Sequence, residues 1–254
     1  MSLPLFLVHE HGLTQVEPGS TVSVTGPEGR HAVTVTRIKP GELVLVSDGC
    51  GTVARCRVSH VGKAQMEAQV EQVDLVPAPD PSITLVQALA KSDRDHLAIE
   101  VATELGVDEV VPWQADRSVV RWRGERAQKG AQKWQHTLTA ATKQARRSRI
   151  PRLAPVAGRE QLQERIAAAA RAWVLHEDAQ CGLADVVSSA HTGMPGAGEA
   201  VVVVGPEGGI SDAELRAFTE AGAYAVRLGP TVLRTSTAGS AAIAVLSAAS
   251  RWRT

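Results

Sequence analysis

Aromatic residues are scarce in this 254-residue chain: two Phe, one Tyr and five Trp, or 3%. A core built from it must be aliphatic. Cysteine is nearly absent as well. Cys50, Cys56 and Cys181 show no Cys-x-x-Cys spacing, which argues against metal sites and disulfide frameworks and leaves buried free thiols as the expectation. No run approaches the ~20 continuous apolar residues of a membrane-spanning helix. The opening "LPLFLV" has no basic leader and no small-residue cleavage site, so it does not read as a signal peptide. A cytoplasmic protein without metal or membrane partner is expected. The sequence also lacks G-x-G-x-x-G and a Walker Lys-Ser/Thr, which removes the usual dinucleotide and nucleotide-phosphate loops.

Net charge is zero, with 27 Lys/Arg against 27 Asp/Glu, but the balance is not local. Eleven of the basic residues and a single acid, Glu125, fall between Arg117 and Arg152. Such a run lacks the internal alternation that relieves self-repulsion on a solvated helix face. A polyanion-binding surface is the expectation, with Trp122 and Trp134 inside it and Trp113 just before.

What the chain does contain divides at "VPAPDPS", residues 76–82, whose three prolines read as a stiff linker. The residues before it, 1–75, read as short strands. "STVSVTGPEGRHAVTVTRI" alternates around a Gly-Pro-Glu-Gly turn, and "GELVLVSDGCGTVARCRVSHV" alternates around Asp48-Gly49. A small β-barrel or sandwich follows.

Beyond the linker, over 83–254, strand and helix patterns alternate. "ITLVQALA" (83–90), "DEVVPW", "RAWVLHED" (171–178), "AVVVVG" and "AYAVRLG" (223–229) read as strands. "SDRDHLAIEVATELG" reads as a helix capped by Ser92 with Asp95, burying Leu97, Val101 and Leu105. Residues 124–148 form a basic helical region. Ser211 and Glu214 open a further helix, and "STAGSAAIAVLSAAS" closes the chain. This is an α/β pattern, a parallel sheet covered on both faces, with ligands expected at the strands' carboxyl ends.

Those ends read "LHED", "GPEGG" and "LGPTVLRTSTAG". In "VVVVGPEGGISDAEL" the Glu207 carboxylate would repel a phosphate and would complement the helix start that follows. Gly205-Pro206 and Gly229-Pro230 stiffen two loops with little side-chain bulk. Such loops suit a neutral heterocycle read by main-chain groups. Two ordinary strand-to-helix connections are the alternative.

"VVVVGPEGGISDAEL" followed by "VRLGPTVLRTSTA" resembles the RsmE-type 16S rRNA (uracil-N3) methyltransferases of the SPOUT superfamily. "HAVTVTRIKPGE", "QALAKSDRDHLAIEVATELGV", "DRS" (116–118) and "RRSRIP" (146–151) extend the resemblance over nearly the whole chain. It implies a PUA-like β-barrel RNA-binding domain, then a parallel-sheet SPOUT domain with a C-terminal trefoil knot, assembled as a homodimer. The implied cofactor is S-adenosylmethionine. Its pocket would use Leu175, His176 and Glu177, then Val204, Gly205, Pro206, Gly208 and Gly209. Leu228, Gly229, Val232, Leu233, Thr235 and Ser236 would complete it. The implied reaction is methylation of N3 of a uridine in the decoding region of 16S rRNA, within the small ribosomal subunit.

For that chemistry Arg234 is the candidate stabiliser of a uracil anion and Glu207 a candidate general base. His176, alone at a strand end, has either a chemical role or a hydrogen bond to main chain. RNA would be gripped by His31 and Arg37 in the first domain and by Arg117, Arg146, Arg147 and Arg149, with an exposed Trp stacking on a base. Two departures stand out. Ser236 replaces the glutamate of the family's common "RTETA", so the resemblance carries no carboxylate there. Lys143 stands where an acid is common, which adds to the basic run. Two alternatives are a related methyltransferase acting on another rRNA or tRNA site and a non-catalytic RNA-binding assembly factor.

Overall fold

Main-chain pairing follows the two sequence patterns closely enough to divide the chain. A computed structural model describes residues 3–8, 13, 15–91, 93–189 and 192–253. Two compact units emerge, one comprising 1–78 with 142–150 and the other 79–141 with 151–254. The first unit therefore recruits a segment from far along the chain, which no reading of local pattern anticipates.

In the first unit β1 (Leu5–Leu7), β2 (Thr21–Val24) and the helix α1 (Gly26–His31) are followed by a π-helical turn, Ala32–Thr36. Then come β3 (Leu43–Ser47), β4 (Thr52–Val61) and β5 (Met66–Leu75). The curled five-stranded sheet runs β1-β3-β4-β5-β2, parallel only at β1–β3. Its core is aliphatic apart from Phe6, Cys56 and Met66. The expected hairpin at Asp48-Gly49 is present, with Asp48 Oδ1 accepting from the N–H groups of Cys50 (2.7 Å) and Thr52 (3.0 Å).

The expected strand after "GPEG" is instead α1 and its π turn. Pro27 starts a helix well, because its missing N–H is one a first turn does not use. A Cβ on Gly29 would lie 2.5 Å from the carbonyl oxygens of Ala64 and Val24, so the helix seats against its neighbours where only glycine fits. Packing overrides the Thr-Val alternation, leaving Val35 66% exposed, and Arg37 at φ 57° ends the turn.

In the second unit β6 (Ser82–Ala88), α2 (Arg94–Glu104), β7 (Glu109–Trp113) and α3 (Glu125–Gln144) come first, α3 running into the segment 142–150. They are followed by β8 (Arg152–Leu153), α4 (Arg159–Ala168), β9 (Arg171–Leu175) and α5 (Leu183–Val187). The unit ends with β10 (Glu199–Val204), α6 (Asp212–Glu220), β11 (Tyr224–Val226) and α7 (Thr235–Ala249). The sheet runs β11-β9-β10-β6-β7-β8, every pair parallel. One face, with Val86, Val111, Val174 and Val203, packs on Leu162 and Ile166 of α4 and Phe218 of α6. On the other, a Cβ at Gly239 of α7 would come within 2.8 Å of Leu85 Cδ1, so α7 lies tight on β6. Both faces are covered, and β10 is buried throughout its valines.

The α2 expectation needs correction. Its buried residues are Asp95, Ala98, Ile99, Ala102 and Thr103, while Leu97 is 46% exposed. Ser92, the expected cap, lies outside the described residues; Asp95 Oδ1 accepts from the N–H of His96 at 2.8 Å. Of the three thiols only Cys56 is buried; Cys50 and Cys181 are exposed. Among the described residues no helix is long and apolar enough to cross a membrane, and no three His, Cys, Asp or Glu side chains gather as metal ligands would.

Candidate functional site

The carboxyl ends of β9, β10 and β11 open on one cavity of about 460 Å³, within the range of small-molecule sites. Its rear wall is the loop after β10. A Cβ on Gly205 would meet Ile210 Cγ1 at 2.7 Å, and Gly209 sits at φ +74°, where L side chains strain. The Gly209 N–H closes the turn on Pro206 O at 2.9 Å. The helix that follows is capped as the sequence suggests: Ser211 Oγ accepts from Glu214 N at 3.2 Å, and Ser211 N donates to Glu214 Oε2 at 2.9 Å.

Two residues after β7 hold this loop and its helix in place, and the next, Ser118, ties to the end of β6. Asp116 N donates to buried Glu214 Oε1 (2.7 Å). Arg117 Nη1 donates to Gly208 O (3.2 Å), and Ser118 Oγ to Leu89 O (3.2 Å). Across the cavity, Thr235 at the start of α7 donates to Gly205 O (2.7 Å) and accepts from Gln87 Nε2 (3.0 Å). The ends of β6 and β10 are thereby tied to the first turn of α7.

Glu207 does not serve the following helix. Its Oε1 accepts from Lys91 N (3.1 Å) and from Arg94 Nη1 (3.1 Å), because Ser211 and Glu214 already satisfy α6. A second wall is 228–233. Among the described residues, no hydrogen bond engages the main chain of Gly229, Thr231, Val232 or Leu233. A loop of free N–H and C=O groups facing a cavity is a surface for main-chain recognition of a heterocycle. Arg234 follows at the N-cap of α7, exposed, its guanidinium without a partner among the described residues.

Of the expected cofactor residues, Leu175, His176, Glu177, Val204, Gly205, Pro206, Gly209, Leu228, Gly229, Val232, Leu233 and Thr235 line the cavity, as do Glu207 and Arg234. Gly208 does not, since Arg117 covers it, and Ser236 is turned into the protein with 5% exposure. His176 Nδ1 accepts from Asp178 N at 3.3 Å, which matches the main-chain role. Arg94, Arg227 and Thr231 also line the cavity and escaped the sequence reading. Arg94 carried a signal only in its pairing with a residue 113 positions away.

The residues expected to grip RNA are less uniform. Arg117 is committed to the loop. Arg149 Nη2 donates to Val76 O (2.8 Å), in a segment also joined to β3 and its hairpin by Ser47 Oγ to Ser148 O (3.3 Å). Lys143 pairs with Glu28 at 2.6 Å, so it adds nothing to a free basic surface. Arg37 and Arg146 are exposed; His31 and Arg147 are half-buried, His31 with its ring 6.5 Å from Phe6. Trp113 and Trp134 are fully buried and cannot stack on a base, whereas Trp122 is half-buried.

Comparison with known proteins adds to this geometry. A family model described as RNA methyltransferase domain matches residues 77–247, and one described as RNA methyltransferase PUA domain matches 24–71. The ribosomal RNA small subunit methyltransferase E of Mycobacterium bovis is 45% identical over 94% of this chain and 91% of its own. Its namesake in Bacillus subtilis is 30% identical over 92% of each. A crystal structure of the Neisseria gonorrhoeae enzyme of that name, bound to S-adenosyl methionine, superposes with a TM-score of 0.81. It is 29% identical, covering 97% of this chain and 98% of that one.

Proposed function

The chain belongs to the ribosomal RNA small subunit methyltransferase E family, an S-adenosylmethionine-dependent group of rRNA methyltransferases, and we propose that the atom it methylates is N3 of a uridine in the decoding region of 16S rRNA. The observation that supports this reading is the cavity walled by Gly205–Gly209 and by the unpartnered main chain of 229–233, with Arg234 at its edge.

The cavity's chemistry fits the cofactor. Free main-chain donors and acceptors suit adenine, Arg94 and Arg227 suit a carboxylate, and Glu177 suits an ammonium. Leu175, His176 and Glu177, the Gly205 loop and 228–235 would hold it. When bound, S-adenosylmethionine supplies an electrophilic methyl group on a sulfonium.

The chain's own part is to ready the nucleophile. Uracil N3 carries a proton at neutral pH, so its anion must be formed and held. Arg234 presents a permanently charged guanidinium that can fork across a uracil carbonyl edge. Glu207 Oε2, the oxygen left over by Lys91 and Arg94, accepts the N3 proton. Substituting Arg234→Ala should lower kcat/KM on small subunits by about 100-fold. Full turnover in that variant removes the assignment, and an unchanged pH–rate profile in Glu207→Gln removes the base.

The same reading carries a trefoil knot in the C-terminal chain, a homodimer and work in the cytoplasm on the small subunit, with Arg37 and Arg146 as exposed phosphate contacts of the first unit. Val232 (77% exposed) and Leu233 (39%), beside the cavity, supply apolar surface for the dimer. Two measurements test the function: calorimetric titration with S-adenosylmethionine, and nucleoside analysis of 16S rRNA from a deletion strain. Binding together with loss of 3-methyluridine supports it. Absence of cofactor binding favours the assembly factor, and loss of a different nucleoside favours another RNA site.

A further inference from the structure

The second unit holds another cavity, of about 490 Å³, which shares no lining residue with the first. Ala90 and Asp93 face it while Arg94 faces the cofactor cavity. Its floor is the N-terminal half of α3. Arg126, Lys129 and Lys133 are spaced to share one helix face and all line it. Arg126 and Lys133 have no acidic partner among the described residues, and Lys129 has only a distant, exposed Glu125 at 3.7 Å.

Trp122 lies against the same stretch of α3 and also lines the cavity. A Cβ on Gly130 would fall 2.4 Å from Trp122 Cε2, so glycine at this point of α3 is what lets the indole lie against the helix. Trp122 is fixed there by its main-chain N–H, which donates to Gln114 Oε1 (3.0 Å), and by edge-on contact with Trp134 (centroids 5.2 Å apart, 72°). Trp134 also lines the cavity, and its buried Nε1–H has no partner among the described residues.

We propose that this cavity binds one unpaired nucleotide of the RNA substrate, its base on Trp122 and its phosphates on Arg126, Lys129 and Lys133. Asp93 and Asp95 close the end nearest α2. Those carboxyls repel phosphate, which confines it to α3, and accept from a base's N–H groups. The chemistry is that of single-strand binding: a π-face for stacking, flanked by cations. The proposal rests on the rRNA methyltransferase reading, and it sets a nucleotide beside Asp93, whose chain neighbour Arg94 lines the other cavity.

The test measures binding of the full-length protein to a short fluorescent single-stranded oligoribonucleotide and to its duplex, over a salt series. Arg126→Ala with Lys133→Ala should weaken single-strand binding about tenfold and flatten the log–log salt slope by roughly one to two. Trp122→Leu should weaken it about tenfold with the slope unchanged and abolish the preference over duplex. Arg159→Ala with Arg216→Ala, charges outside the cavity, is the control and should change binding less than twofold. Equal loss in the control, or wild-type binding in the Arg126/Lys133 variant, overturns the proposal. Calorimetry with S-adenosylmethionine verifies that the variants are folded. If wild type binds single-stranded RNA through this cavity but neither binds S-adenosylmethionine nor transfers a methyl group, the functional reading fails and the cavity stands.

Discussion

At Gly205 the loop after β10 turns with only 2.7 Å between a would-be Cβ and Ile210 Cγ1, which is why a glycine stands there. The Gly-Pro pair and the carboxylate that follows it were enough, as sequence, to argue against phosphate; the close approach to Ile210 was not visible in them. Substituting Gly205→Ala should cost about 1–3 kcal/mol of stability in chemical denaturation, because Ile210 is itself buried and cannot yield. A second residue-scale expectation concerns thiols. Burial, and then the charge of Glu71, push Cys56 up to about 11, so its reactive thiolate is rare at neutral pH. In native protein at pH 8, iodoacetamide should modify exposed Cys181 and spare Cys56; labelling of both at similar rates would contradict this burial. The role of Glu207 was not legible, because its partners, Lys91 and Arg94, are joined to it only by the fold.

Elements were legible where local chemistry and tertiary packing agree. The Ser-x-x-Glu start of α6 survives intact, and Ser211→Ala should lower stability by about 1 kcal/mol in thermal or denaturant unfolding. Four consecutive valines marked β10 because a strand covered on both faces must be apolar on both. Where packing won instead, the pattern misled. Residues 31–36 alternate like a strand yet wind as a helix, since Gly29 lets α1 press onto the carbonyls beneath it. In α2 the small Ala98 and Ala102 face inward and Leu97 outward. Burial holds the Asp95 carboxyl in that helix above its ordinary 3.8, with His96 and main-chain N–H groups pulling the other way. The fold thus disfavours the charged form: the penalty is absent below 3.8 and grows as pH rises through the raised value. Asp95→Asn should be more stable than wild type at neutral pH, with the difference vanishing in acid; a pH-independent difference would rule out the ionisation account.

At the scale of the molecule, the sequence divided the chain at its prolines but could not show that 142–150 returns to the first unit, because that return is made by main-chain bonds such as Gly51 N to Ser148 O (3.0 Å). The basic run was legible as charge, not as surface. The fold commits Arg117, Lys143 and Arg149 to internal partners and leaves Arg126 and Lys133 without an acidic partner among the described residues. At the amino end of the second sheet, Arg165 meets Glu109 at 2.7 Å and also pairs with Glu199. Burial works to lower its pKa, and hydrogen bonds to both carboxylates raise it further than burial lowers it, so it stays charged. Arg165→Ala leaves Glu199 without its cation and Glu109 with Arg152 alone, and should cost about 1–3 kcal/mol by denaturant unfolding. The amino end is thus a clasp, and the carboxyl end is free to carry chemistry. The most direct test of that chemistry incubates the protein with methyl-labelled S-adenosylmethionine and small subunits from a strain lacking the modification, then digests the RNA and identifies the labelled nucleoside. The account predicts 3-methyluridine in 16S rRNA. No transfer, or label in any other nucleoside, would contradict it.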